Sequence, residues 1–230
     1  MAEETNMTIE EARALVADAA LWPRVRDFLW DFAPQIHSSW IDASPHASRF
    51  MSSPRVKRFI LEELGVEPCF HAFPKDDWSR LLLLDGVMLE AIAKWIGALV
   101  LIDQLRLVTD GKAVRELKES FPGIYPDVFA YIMYFSGLDL LRKDGSRGGV
   151  EEQRDVACIG EAVVHEGVSA LLNAISDLPA PLVARFKLKL PKGLCDSATL
   201  RGTKGSPTHV KDALAKLLKL KFPEAYKLCC

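Results

Sequence analysis

The sequence predicts an all-α protein, a single globular multi-helix domain spanning its 230 residues. Three observations predict it. Apolar residues recur at three- and four-residue spacing in segment after segment. Proline, glycine and capping side chains stand where helices start and stop. Only one tract, Ala184 to Leu190, alternates with period two, so no series of strands exists to build a sheet. With 49% hydrophobic and 26% charged residues, the chain can fill a core and keep it hydrated without disulfide staples.

Thr8 followed by Glu11 fits a capping box, and Ile9, Ala12, Leu15, Val16 and Ala19 continue it at helical spacing to Trp22-Pro23. Pro23 suits the first turn of a second short helix carrying Val25, Phe28, Leu29 and Phe32, which Pro34 ends. The serine-rich stretch 38–53 reads as a surface connection anchored by Trp40 and Phe50. Ser53-Pro54, the apolar face Val56, Phe59, Ile60 and Leu64, and a Gly65 stop describe a third helix. Residues 67–78, with two prolines and no period, form an irregular crossing held by Phe70 and Phe73.

Asp76 or Asp77 then caps a long helical region to about Thr109, apolar on nearly all sides and so central to the core. Gly86 and Gly97 within it predict a bend or a close helix crossing. It does not read as a membrane span, because Asp85, Glu90, Lys94, Asp103 and Arg106 interrupt it. Asp110-Gly111 is a turn before the amphipathic helix KAVRELKES, which Pro122 stops. Pro126 to Leu141 reads as helix by context, although its aromatics and Ile132 equally suit a strand. Residues 142–149, three glycines among four charges, are the flexible loop or hinge candidate. Glu151 to Leu178 is the clearest long helix, lined by Val156, Ile159, Val163, Val168, Leu171, Leu172 and Ile175, and Pro179 and Pro181 end it. The alternating tract 184–190 reads as a short strand-like segment, residues 192–206 as a polar loop, and Ser206-Pro207 as the start of a last amphipathic helix bearing Val210, Leu214, Leu217 and Leu218.

The acidic start MAEETNMTIEEA has neither a basic leader nor an apolar run, so the mature chain is expected to begin at Met1. Five cysteines without a C-x-x-C pair read as reduced thiols, with Cys229-Cys230 the unusual pair. Metal chemistry is not expected: His165-Glu166 has Ser169 where a zinc-protease helix places its second histidine. Gly202 to Ser206 lacks the strand and spacing of a phosphate cradle, and no G-x-S-x-G elbow occurs. Glu62-Glu63 and Asp76-Asp77 are adjacent in sequence, so a helix turns their carboxylates apart and no acid-base dyad results. No cofactor or metal site is therefore read from these residues.

The net charge of -2 hides a basic pole: from Leu182 to Cys230, 11 Lys and Arg face 3 acids, a net +8. A solvated helix face, an acidic protein partner, a lipid surface and, last, nucleic acid are its readings in turn. Arg185, Lys187, Lys189, Lys216, Lys219 and Lys221 are the candidate residues for an electrostatic face toward an acidic partner.

Three passages resemble one family: WSRLLLLDGVMLEAIAKWIGALVLI (Trp78 to Ile102), ARFKLKLP (Ala184 to Pro191) and HVKDALAKLLKLKFPEAYKL (His209 to Leu228). Together, over residues 75–230, they are similar to the SctK (YscK-like) accessory proteins of the bacterial type III secretion sorting platform. The distinctive part is an R-x-x-L-x-LP phrase paired with a final basic helix. The resemblance implies a non-enzymatic adaptor at the cytoplasmic face of the inner membrane, beneath the injectisome. Its implied partners are the cytoplasmic domain of the SctD-type ring protein and the SctQ-type pod protein, and indirectly the SctL-type stator and SctN-type ATPase, with no nucleic acid. The alternative is a small helical enzyme, or a nucleic-acid- or lipid-binding module using the basic C-terminal region.

Overall fold

The computed structural model describes residues 21–29, 32–40, 53, 55, 59, 61, 62, 66, 77–125, 127–131, 156–201 and 207–229. Every regular element among them is helical, as the sequence predicts, and no strand occurs among the described residues. In chain order the α-helices are α1 (Trp22–Leu29), α2 (Gly86–Val100), α3 (Ile102–Arg106), α4 (Gly111–Ser120), α5 (Asp127–Tyr131), α6 (Val156–Ala174), α7 (Ala180–Leu188), α8 (Lys192–Arg201), α9 (Pro207–Lys221) and α10 (Pro223–Cys229). Three 3-10 helices, Ala33–Gln35, Ser38–Trp40 and Asp77–Leu83, join them. The expected helix at Thr8, the Phe50, Phe70 and Phe73 anchors, the hinge 142–149 and Cys230 lie outside the described residues.

The chain divides into two compact units: residues 1–86, 178–192 and 229 form one, and residues 87–177, 193–228 and 230 the other. In the first unit, α1 buries Val25, Phe28 and Leu29, the face its spacing predicts. Phe32 and four consecutive leucines, Leu81 to Leu84, are also buried, as are Leu182, Phe186, Leu188 and Leu190 from α7 and its exit. Each such side chain contributes about 1.5–3 kcal/mol on leaving water. The Phe28 and Phe32 rings meet edge to face, centroids 5.5 Å apart. Phe59, Leu61 and Glu62 are helical, and Val66 N–H donates to the Leu61 carbonyl at 2.8 Å. Phe59, expected on the apolar face, is 58% exposed.

The tract 184–190 is not strand: α7, with Pro181 in its first turn, covers it to Leu188, and Lys189 is the C-cap. The alternation misled because it counted Arg185 and Lys189 as outward-facing. Both point inward with Leu182 and Phe186, and positions 182, 185, 186 and 189 share one side of a 3.6-residue turn. The loop expected over 192–206 is likewise helical through Arg201, with Cys195 buried beneath it.

The long helix expected from Asp76 or Asp77 to Thr109 is broken into the 3-10 helix 77–83, α2 and α3. The Leu82 carbonyl, which a continuous α-helix would direct to residue 86, accepts from a lysine side chain instead. In the second unit the expected close crossing is present. A Cβ built on Gly97 of α2 would lie 1.8 Å from the Val163 carbonyl oxygen of α6, and one on Gly167 of α6 would lie 1.8 Å from that of Ala93. The two backbones touch through these hydrogens, a contact only glycine permits. Around this crossing, α4 and α9 both pack on α6. Asp110 caps α4, accepting from Ala113 N–H at 2.8 Å. Pro223 divides the expected last helix into α9 and α10.

Candidate functional site

The six basic residues singled out by the sequence fall into two groups, three in each compact unit. Arg185 and Lys189 are each 1% exposed, so neither presents charge to a partner, and this corrects their assignment to an electrostatic face. A buried cation needs oxygen acceptors to replace lost water, and helix C-termini supply them, because their last carbonyls have no partner within the helix. Arg185 Nη1 donates to the carbonyls of Phe28 and Leu29 at 2.7 and 2.8 Å, closing the end of α1. Lys189 Nζ donates to those of Leu82 and Leu84 at 2.6 and 2.9 Å, closing the 3-10 helix 77–83. Positive charge at these ends also opposes the negative pole of each helix.

Aromatic faces complete the seat. Lys189 Nζ lies 4.9 Å from the Phe28 ring centroid and 5.9 Å from that of Phe32, and Arg185 Cζ lies 5.6 Å from Phe32. Burial pushes the Lys189 ammonium down from 10.5 to about 7, against the opposing pull of Asp85. Around the exit of α7, His37 N–H donates to Leu188 O and Trp40 Nε1 to Leu190 O, both at 2.7 Å. Lys192 N–H donates to Ser39 Oγ at 2.9 Å. The ARFKLKLP phrase therefore acts as an internal fastener for segments far earlier in the chain. Lys187 is half-buried on the same helix.

In the second unit, Lys221 is also turned to internal use. Its Nζ pairs with Asp127 at 3.0 Å in the first turn of α5 and sits 4.5 Å from the Trp95 ring of α2. Lys211, outside the original six, joins α9 to Asp177 at 2.7 Å. Lys216 and Lys219 are exposed, on the side of α9 opposite buried Val210, Ala213, Leu214, Leu217 and Leu218. Between them and the helix end stands Leu220, 44% exposed. Of the six, Lys216 and Lys219 are thus the pair presented as a surface.

No group of three His, Cys, Asp or Glu side chains able to hold a metal occurs among the described residues. His165 and Glu166, the weak zinc-protease likeness, are mostly buried, with Nδ1 and Oε1 4.0 Å apart. No helix among the described residues is long and apolar enough to cross a membrane. Sequence reasoning missed Phe28, Phe32, Asp127 and Trp95 as cation seats. A signal for the first two existed: basic residues four apart, interleaved with Leu182 and Phe186, share a face with the core. No family model matches the chain, and neither a curated protein nor a solved structure matches it.

Proposed function

We propose that the protein is a non-enzymatic helical adaptor, and that it serves the type III secretion sorting platform by linking an SctD-type ring protein to an SctQ-type pod protein. The observation that carries the adaptor reading is α9: its apolar side is buried, and its other side offers Lys216 and Lys219 beside exposed Leu220. Two cations beside an exposed aliphatic side chain suit an acidic protein surface that also carries an apolar residue, where charge steers encounter and the apolar contact holds it. The secretion-system assignment rests on the sequence resemblance in Trp78–Ile102, Ala184–Pro191 and His209–Leu228.

The test is a pull-down of the tagged full chain from its own cells under secretion conditions, alongside the double variant Lys216→Glu, Lys219→Glu. The wild type is expected to recover ring and pod proteins, and the variant to lose them while keeping its helical circular dichroism. Recovery of neither by the wild type refutes the platform assignment. Equal recovery by both proteins at low salt refutes the α9 face.

A further inference from the structure

The lysines of α9 divide by direction. Lys211 and Lys221 turn back to Asp177 and Asp127, at 2.7 and 3.0 Å, and tie the helix down near its two ends. Lys216 and Lys219, between them, face outward. That outward side does not stop with α9. Phe222 N–H donates to Leu218 O at 2.9 Å and Tyr226 N–H to Phe222 O at 2.8 Å, each four residues back, so the helical ladder carries on past Pro223 into α10. Ala225 of α10 is buried seven residues after buried Leu218, a spacing that returns to one side of a helix. By the same register Asp212, Lys216, Lys219, Leu220, Pro223 and Lys227, all exposed, share the opposite side. Glu224, also exposed, lies along its edge. At the usual helical rise the stripe is about 22 Å long.

Its charges are mixed. Three lysines alternate with two acids, Asp212 one turn before Lys216 and Glu224 one turn after Leu220. A uniformly anionic partner, whether nucleic acid or lipid surface, would set negative charge against both carboxylates, and like charges brought together oppose binding. A second helix avoids this, because its own side chains recur at the same three- and four-residue spacing and can alternate in sign. Resting on the docking reading of α9 given above, we propose that the face runs from α9 across Pro223 onto α10 and takes one partner helix of mixed charge laid lengthwise along it. The partner sets acids opposite Lys216, Lys219 and Lys227, bases opposite Asp212 and Glu224, and an apolar side chain over Leu220. Asp212 and Glu224 act as the selective residues, turning polyanions away and fixing the register.

The test titrates the full chain into two fluorescently labelled synthetic helices and reads anisotropy. One peptide carries two central acids and a leucine between flanking bases, and the other has every base replaced by Glu. The matched peptide is expected to bind about tenfold more tightly than the all-acidic one. Asp212→Lys with Glu224→Lys should reverse that preference. Lys227→Glu should weaken the matched peptide several-fold, while Lys118→Glu, an equal change of charge at an exposed site on α4, leaves it unchanged. All-acidic binding equal to or tighter than matched binding in the wild type overturns the proposal, as does binding of neither peptide or indifference to Lys227→Glu. Capture of phosphatidylserine vesicles in preference to the matched peptide also overturns it and assigns the face to a membrane. Neither peptide carries a secretion-protein sequence, so these outcomes are independent of the pull-down that decides the platform assignment.

Discussion

Replacing Gly97 by alanine is the sharpest perturbation this structure offers, since one methyl group is placed where another helix's backbone already stands. The added Cβ would meet Val163 O at 1.8 Å, Val163 C at 2.8 Å and Gly167 N at 2.9 Å, whereas ordinary contact begins at 3.4 Å. Relief requires α2 and α6 to part locally by about 1.6 Å, the difference between 1.8 and 3.4 Å. Backbone cannot rotate aside as a side chain does, so the strain stands at or above the usual ~1–3 kcal/mol of core overpacking. A gap of roughly an ångström also forfeits a large share of the dispersion contacts around it. Against this, alanine gains about 1 kcal/mol in helix propensity. A net loss of about 3 kcal/mol follows, shifting a urea midpoint down by roughly 1–2 M for ordinary slopes. Urea unfolding followed by circular dichroism reads it directly. Gly111→Ala and Gly193→Ala, whose added Cβ atoms meet nothing within 4 Å, are the controls and should leave the midpoint unchanged or slightly raised. A Gly97→Ala midpoint equal to wild type would refute the crossing itself.

Gly167→Ala should behave like Gly97→Ala, because its Cβ would strike Ala93 O at the same 1.8 Å. Gly123→Ala should lose about 1–2 kcal/mol for a different reason, its φ of +76°, measurable by the same unfolding curves. Arg185→Leu strips two buried carbonyls of their donor and is expected to lower stability by roughly 2–4 kcal/mol, read as a fall in Tm. Asp110→Ala removes an exposed cap and should cost about 1 kcal/mol, seen as faster hydrogen exchange at the start of α4. Lys216→Glu with Lys219→Glu touches only exposed positions and should change Tm little, which separates a binding defect from a folding defect.

Much of the fold is legible in the sequence because helices announce themselves locally. Pro23, Pro181, Pro207 and Pro223 all fall in first turns, Asp110-Gly111 opens α4, and the buried faces of α1 and α9 are those their spacing predicts. Gly97 was legible as a close crossing, since a glycine kept inside an apolar helix implies that something approaches its backbone. The candidate face was legible only in part. Lys216 and Lys219 lie on the water side of an amphipathic helix, as a pattern argument expects. Arg185, Lys189 and Lys221 carry the same charge in a similar pattern, yet the first two are buried and the third is half-buried against Asp127.

What the sequence by itself determined, then, is the helical class, most helix starts and the apolar faces, all of which follow from residues within a turn or two of one another. The tertiary structure alone decided the fate of the cations. Whether a lysine is hydrated or buried depends on which carbonyls and rings meet it, and those of Arg185 lie more than 150 positions away at Phe28 and Leu29. Those of Lys189 lie more than 100 away at Leu82 and Leu84. Desolvating a charge is unfavourable unless such partners are already in place, so the same residue type is a surface group on α9 and an internal fastener on α7.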